Sequence, residues 1–280
     1  MKIIECPRDA MQGMEKFIPT SEKVRYLNQL MKVGFDTIDA GSFVSPKAIP
    51  QMKDSAEVFE KIEFGSSKSK LLAIVANVRG AEEASRHSNI TYLGFPLSIS
   101  ETFQKRNTNK SIAEALETLN DIQEVCVKTG KVLVTYISMG FGNPYNDPYD
   151  ISVVGKFVDI LSTLEIEIVS LADTIGVSKP DQIKYLVTNL TTEFPFIEFG
   201  VHLHSNPATA IEKIQAAVDA GCKRFDGAIN GFGGCPMAED ELVGNLATET
   251  ILSYLDSKNI PTGLDQNEFV KSMQIAAGIF

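Results

Sequence analysis

Two of the three histidines in the chain, His202 and His204, stand one residue apart in the stretch "VHLH" at the end of an apolar run. If this run is a β-strand, both imidazoles lie on the same face, because side chains alternate sides with a period of two. Two imidazoles joined by carboxylates from neighbouring strands could bind a divalent cation. Two histidines that are only hydrogen-bonded at a strand end would show the same spacing, so the pair alone leaves both interpretations open.

Short β-branched runs alternate with longer amphipathic stretches along the whole chain. The eight strand candidates begin at Lys2, Phe35, Lys70, Ile90, Lys131, Ile166, Ile197 and Lys223. Eight strands in strict alternation with eight helices favour a closed (β/α)8 TIM barrel of the α/β class over an open doubly wound sheet. The sequence shows no linker or shift in composition, so we expect a single catalytic domain over residues 1–280.

The helix signals differ in strength between segments. The stretch "TSEKVRYLNQLMKVG" predicts an amphipathic helix that opens with Thr20 as its cap residue and stops at Gly34. The segment from Asp54 to Ile62 predicts a helix more weakly.

Charge and composition exclude several classes of protein. The 280 residues include 36 acidic and 26 basic side chains, a net charge of −10, which argues against a nucleic-acid partner because phosphate binding needs a basic surface. No apolar run approaches the roughly 18 residues of a membrane span, and the start "MKIIECPRD" lacks a signal peptide. The four cysteines form no CxxC pair, which favours a reducing compartment. We therefore expect a cytoplasmic protein with no membrane partner.

Active sites of (β/α)8 barrels lie at the carboxyl ends of the strands. The polar residues at the predicted strand ends are Arg8 and Asp9, Asp39, Asp173 and Thr174, and His202 and His204. Nitrogen and oxygen ligands with few thiolates favour Mg²⁺, Mn²⁺ or a similar octahedral ion, although Zn²⁺ also accepts two histidines and a carboxylate.

The segment after the last predicted strand, "NGFGGCPMAEDELVGN", is rich in glycine and contains Cys235. Such a segment can move and bring backbone close to a ligand, as active-site lids do. An ordinary flexible connection with a small apolar cysteine would look the same. A cysteine placed over the predicted site favours a role in acid–base or nucleophilic chemistry.

Several motifs together resemble one family, the 3-hydroxy-3-methylglutaryl-CoA lyases, in the metal-dependent group that also contains the isopropylmalate and homocitrate synthases. The resemblance runs in order from Lys2 to Glu249, and its motifs are "ECPRDAMQGMEKFIPT", "GSFVSPKAIPQM", "ETFQKRNTNKSI", "LADTIGV", "VHLH" and "GFGGCPMAEDELVGNLATE". It implies a (β/α)8 barrel that uses Mg²⁺ or Mn²⁺ to cleave 3-hydroxy-3-methylglutaryl-CoA into acetyl-CoA and acetoacetate, as in leucine degradation.

The resemblance also implies roles for individual residues. The implied metal ligands are Asp9, His202, His204 and Asn245. The implied catalytic residues are Arg8, which steadies the enolate, Cys235, which works in proton transfer, and Asp39, Asp173 and His202. The residues implied at the substrate or coenzyme A are Gln12, Lys16, Thr174 and Glu249.

The chain departs from the family pattern at three places near the predicted site. Asp39 stands where the family usually has a glutamate, "GMEKF" carries one residue more than the usual "NEK" form, and "HLHSNPATA" replaces the more common "HDTYGQA". These departures leave the implied metal ligands intact. They leave the accepted acyl group open, so a lyase for another hydroxyacyl-CoA is an alternative.

Two further alternatives differ in kind from a lyase. A condensing synthase of the same group would add acetyl-CoA to a 2-oxo acid, but those synthases usually carry a further C-terminal region, whereas this sequence ends at Phe280. The other is a catalytically silent barrel that binds CoA esters or metal. The implied acid Cys235, the positively charged Arg8 and the four metal ligands argue against it, because a silent barrel has no need to keep them together. Barrels of this kind often pair, which leaves a homodimer or higher homo-oligomer open.

Overall fold

Eight parallel strands form a closed barrel in which each strand pairs with its neighbours in sequence and the last pairs with the first. The computed structural model describes residues 1–234 and 243–280. The strands are β1 (Lys2–Glu5), β2 (Thr37–Ser42), β3 (Lys70–Ile74), β4 (Ile90–Ser98), β5 (Val132–Ser138), β6 (Ile168–Asp173), β7 (Glu198–Leu203) and β8 (Arg224–Gly227). This topology confirms the predicted (β/α)8 barrel.

Helices connect the strands and surround the barrel. Those in the described ranges are α1 (Pro7–Gln12), α2 (Thr20–Val33), α3 (Ser55–Lys61), α4 (Val78–Ser85), α5 (Glu101–Thr108), α6 (Ile112–Thr129), α7 (Ile151–Thr163), α8 (Pro180–Glu193), α9 (Pro207–Asp219), α10 (Thr248–Ser257) and α11 (Gln266–Ile279). Over these ranges, the helices are too short or too polar to cross a lipid bilayer.

The helix α2 shows how the local sequence sets an element. Its apolar face, which includes Leu27 and Leu30, is buried, and the chain leaves the helix through Gly34 at φ 89°, a left-handed conformation that glycine adopts without steric strain. The predicted cap was wrong, because Pro19 occupies the cap position without a side-chain hydrogen bond. The Thr20 hydroxyl instead donates to Asp54 of the neighbouring segment. The weakly predicted helix forms as α3.

The two faces of the strands bury different sets of side chains. One face, with Leu71, Leu93 and Val169, packs against the helices in the large core. The opposite face of β3, β4, β5 and β6, with Leu72 and Val134, forms a smaller apolar cluster inside the barrel. This packing fills the barrel centre and leaves the carboxyl ends of the strands to carry polar side chains.

Candidate functional site

A buried group of charges lies where β1 ends and α1 begins. Pro7 occupies the first helical position, which suits its fixed φ, and the next two residues are Arg8 and Asp9. The Arg8 guanidinium donates to Asp39 through Nε at 3.0 and 3.2 Å and through Nη2 at 2.5 Å. Its Nη1 donates to Asp9 Oδ1 at 3.0 Å. One guanidinium therefore holds two carboxylates, that of Asp9 on α1 and that of Asp39 on β2.

These neighbours set the protonation of the group. Burial raises the pKa of Asp39 to about 6, even though Arg8 opposes the shift. Burial alone would also raise the pKa of Asp9, but Arg8 and the two nearby histidines bring it below its ordinary value. Burial alone would lower the pKa of Arg8, and the two carboxylates raise it instead. Near neutral pH the site therefore contains a guanidinium beside an ionised Asp9.

The histidine pair lies on one face of the end of β7, as its spacing predicts. The ring centroids of His202 and His204 are 5.3 Å apart. One ligand atom from each ring and one carboxylate oxygen of Asp9 all lie within 4.8 Å of one another. The first and seventh strand ends thus bring two nitrogen donors and one oxygen donor to a common point.

The hydrogen bond of His204 determines which of its nitrogens can bind a cation. Nδ1 lies 2.9 Å from the carbonyl oxygen of Thr174, and since a carbonyl only accepts, Nδ1 carries the proton and Nε2 the lone pair. Burial and the neighbouring His202 lower the pKa of His204 to about 4, which keeps the ring neutral. Within the described residues, the buried Nε2 has no hydrogen-bond partner. A buried, unpartnered lone pair fits a metal ligand.

His202 is oriented by a carboxylate instead of a carbonyl. Its Nδ1 lies 3.2 Å from Asp226 Oδ2. Burial alone would lower the pKa of His202, but Asp226 raises it. The Cys6 thiol lies close to both residues, and burial together with surrounding carboxylates raises its pKa well above its ordinary value, so the sulfur stays protonated. Sequence reasoning missed Asp226, for which a charged residue inside the eighth strand candidate was the available signal.

Asn245 reaches the same point from the segment that follows β8. It forms an isolated bridge with His204, and its Nδ2 donates to Asp9 Oδ2 at 2.6 Å and to Phe232 O at 2.9 Å. Gly233 lies against Asn245 and Asp9, with a φ of 97°. A Cβ at this position would stand 2.7 Å from Asn245 Nδ2 and 2.9 Å from Asp9 Oδ2. This close approach requires glycine.

Of the other predicted residues, Gln12 contacts the charged group directly. Gln12 donates to Asp9 at 2.7 Å and accepts from Arg8 at 2.9 Å, so it holds the two charged residues. Lys16 is exposed on the segment between α1 and α2. Glu249, in the first turn of α10, accepts from the N–H of Asn230 at 3.1 Å. Cys235 lies outside the described residues.

The side chains of Asp173 and Thr174, at the end of β6, bind backbone. Asp173 accepts from the N–H groups of Val177 and Ser178 at 2.9 and 3.0 Å. The Thr174 hydroxyl accepts from the N–H of Met139 at 2.8 Å. Their backbone carbonyls link them to the site, because the Thr174 oxygen binds the ring of His204 and the Asp173 oxygen accepts the His204 N–H.

Glu5 and Lys213 are two buried charged residues that sequence reasoning missed. Glu5, on β1, accepts from Thr248 Oγ1 at 2.6 Å and from Ile229 N at 2.9 Å, and burial raises its pKa to about 8. Lys213 lies on α9 and is 2% exposed. Glu5 is a charged residue inside the first strand candidate, so the signal available for Asp226 was available here too. Lys213 sits in a regular helical segment, which gives no sign of its burial.

Comparison with known proteins places the chain among carbon–carbon lyases. A family model described as HMGL-like matches residues 2–275. A hydroxymethylglutaryl-CoA lyase of Bacillus subtilis is 34% identical, covering 92% of this chain and 85% of the relative. A 3-hydroxy-3-isohexenylglutaryl-CoA/hydroxy-methylglutaryl-CoA lyase of Pseudomonas aeruginosa is also 34% identical, covering 98% and 91%.

A solved structure agrees with these relatives. An HMG-CoA lyase from Acinetobacter baumannii, in complex with coenzyme A and 3-methylmalate, superposes with a TM-score of 0.92 at 29% identity and covers 99% of this chain and 90% of that chain. The match in sequence and in fold extends over the site described above. The chain belongs to the HMGL-like family.

Proposed function

We propose that this protein is a divalent-metal-dependent lyase that cleaves 3-hydroxy-3-methylglutaryl-CoA into acetyl-CoA and acetoacetate. The observation that carries the proposal is the meeting of Asp9, His202 and His204 donor atoms within 4.8 Å, beside the Arg8 guanidinium. The names of the two relatives, and the coenzyme A in the A. baumannii lyase structure, support an acyl-CoA substrate.

The proposed cation ligands are the Asp9 carboxylate, Nε2 of both histidines and the Asn245 side-chain oxygen. Both hydrogen bonds of Asn245 use its amide nitrogen, so the oxygen is the atom suited to a cation. Mixed nitrogen and oxygen donors favour Mg²⁺ or Mn²⁺. When bound, such an ion lowers the pKa of the substrate's tertiary hydroxyl and fixes the geometry of the substrate.

Arg8 is the proposed stabiliser of the charge that develops as the carbon–carbon bond breaks. A base takes up the hydroxyl proton, the electron pair of the O–H bond forms the ketone of acetoacetate, and the pair of the broken carbon–carbon bond stays on the thioester as an enolate. A preorganised guanidinium facing the thioester oxygen stabilises this negative charge. Asp39, with three contacts to Arg8, holds the guanidinium in place.

The enolate must gain a proton to become acetyl-CoA. Cys235 is proposed as the residue that works in this transfer, and the proposal rests on the motif "GFGGCP" alone. A segment closed over the site would exclude water and protect the intermediate. Several expectations stay predictions. They are the roles of Lys16, Thr174 and Glu249 at the substrate, a single domain over residues 1–280, a homo-oligomer and a cytoplasmic location.

The test is an assay of the purified protein with 3-hydroxy-3-methylglutaryl-CoA and Mg²⁺ or Mn²⁺, before and after treatment with EDTA. We expect equal amounts of acetoacetate and acetyl-CoA, loss of both with EDTA, and recovery when metal is restored. His204→Ala should abolish turnover, whereas His87→Ala, which changes the one histidine outside the site, should retain it. A folded protein without metal-dependent release of acetoacetate would contradict the proposal. A parallel assay with the isohexenyl substrate tests whether a longer acyl group is accepted.

A further inference from the structure

A buried lysine stands behind the histidine end of the site. Lys213 lies on α9, the helix that follows β7, and is 2% exposed. Its ammonium donates to Asp173 Oδ2, to the carbonyl oxygen of Gly176 and to the carbonyl oxygen of His204, each at 2.9 Å. These three bonds use every proton of the ammonium, so Lys213 connects three separate points of the backbone and side chains.

The partner carboxylate of Lys213 accepts hydrogen bonds at both of its oxygens. Asp173 Oδ1 accepts from Val177 N, while Oδ2 accepts from Ser178 N and from Ser178 Oγ at 2.5 Å. The ion pair therefore fixes the turn 173–178 against the end of β7. Asp173 ends β6 and also accepts the N–H of His204 at its carbonyl, at 3.3 Å.

This arrangement controls His204 at both its backbone and its ring. Lys213 binds the His204 carbonyl directly. Thr174, which follows Asp173 in the same fixed turn, accepts the Nδ1 proton of the His204 ring. A shift of the turn would remove the acceptor that sets the tautomer, and Nε2 would no longer be held as a lone pair directed towards Asp9.

We propose that Lys213 is a positioning residue that, through Asp173 and the turn 173–178, holds His204 in the orientation and tautomer needed to bind the cation. This inference rests on the proposed metal site. A buried ion pair alone is a weak source of stability, because desolvation of two charges offsets their attraction. Lys213 adds an ammonium that donates to three converging oxygens. One of them is the backbone carbonyl oxygen of His204, a proposed metal ligand.

The test measures Mn²⁺ binding in the absence of substrate, by electron paramagnetic resonance or titration calorimetry, in the full chain. Lys213→Met keeps the length of the side chain and removes its donors. We expect it to weaken Mn²⁺ binding about 10- to 100-fold, the range seen when the residues that support metal ligands are changed. Thermal unfolding is measured in parallel.

Lys23→Met is the matched control, because Lys23 is also a buried lysine paired with an aspartate. It is 3% exposed and donates to Asp54 at 2.6 Å and to the carbonyl oxygen of Gln51. We expect Lys23→Met to lower the unfolding temperature without weakening Mn²⁺ binding. The double variant Lys213→Met with Asp173→Asn removes the carboxylate charge that Lys213→Met leaves unpaired. It is measured if the single variant does not fold, and its Mn²⁺ affinity should also be low.

Two results separate the inference from the metal site on which it depends. Wild-type binding that is lost in His204→Ala and kept in His87→Ala supports the site. If the folded Lys213→Met protein, or the double variant, then binds Mn²⁺ within about two-fold of wild type, the inference is overturned while the site stands. Wild-type protein that binds no Mn²⁺ would overturn both.

Discussion

Each of the two sides of the barrel mouth buries a positively charged side chain beside an aspartate, but the two charged pairs differ in what they bond to. On the β1–β2 side, Arg8 bonds to the side chains of Asp9 and Asp39, and its own side chain is 10% exposed. On the β6–β7 side, the Lys213 side chain is 2% exposed, and two of its three hydrogen bonds are to backbone carbonyl oxygens. The Arg8 pairs join side chains of the proposed site, whereas the Lys213 pair is bonded to the backbone of the proposed ligand His204.

Replacing Arg8 tests the first side and should have the largest effect. Arg8→Lys keeps the charge but loses the planar donors that reach Asp39 and Asp9 together. We expect kcat to fall by about 10²- to 10³-fold, the typical loss when a preorganised charge donor is removed. Steady-state kinetics with saturating metal measure this change. Turnover within about ten-fold of wild type would mean that Arg8 serves only to hold the carboxylates.

Replacing Gly233 tests how closely the segment after β8 must approach Asp9 on the β1–β2 side. In Gly233→Ala, the added Cβ meets Asn245 Nδ2 and Asp9 Oδ2 at 2.7 and 2.9 Å, in a left-handed conformation. We expect the free energy of unfolding to fall by about 1–3 kcal/mol and Mn²⁺ affinity to fall with it, since both contacted residues are proposed ligands.

The control for this change is Gly263→Ala, at φ 75° with no atom within 4 Å of the added Cβ. It carries the backbone strain without the contact, so Mn²⁺ affinity should stay at the wild-type value. Denaturant unfolding and Mn²⁺ titration measure both quantities. Equal losses of affinity in the two variants would show that strain, and not the approach to Asp9 and Asn245, is responsible.

Glu5 sharpens the comparison, because it is a buried carboxylate on β1 whose hydrogen bonds come from the neutral groups of Thr248 and Ile229. Burial raises its pKa to about 8, and the charge of Glu249 adds to the shift. Since the folded-state pKa lies above the unfolded one, the stabilisation is fully present below about pH 4 and is lost as pH rises towards 8. Glu5→Gln stays neutral at every pH, so it should remove this loss of stability.

Between pH 5 and 8 the wild type should lose about 3 kcal/mol of stability that Glu5→Gln keeps, since each pKa unit corresponds to about 1.4 kcal/mol, whereas the effect on kcat should be the smallest of those considered. Urea unfolding at a series of pH values measures the loss of stability. Glu57→Gln, at an exposed site paired with Lys61, is the control and should leave the slope unchanged. Parallel pH profiles for wild type and Glu5→Gln would show that Glu5 titrates normally in the folded protein.

Much of the fold was predictable because its signals are local. The β-branched runs beginning near Lys70 and Ile90 became strands at the predicted positions, since periodicity depends only on neighbouring residues. The shared face of His202 and His204 follows from the same rule. The cap at Thr20 failed because its hydroxyl bonds to Asp54, thirty-four residues away, and no local rule contains that partner.

The sequence by itself determined the barrel, the strand ends and the residue types that reach them, because these depend on alternation along the chain. Only the tertiary structure decided that Lys213 is buried against Asp173, forty residues away, and that Asp226 and the Thr174 carbonyl orient the two histidines. On α9 a lysine has no feature that distinguishes a solvated side chain from a buried one. Its environment is set by the turn of another strand, which reaches it only when the barrel closes.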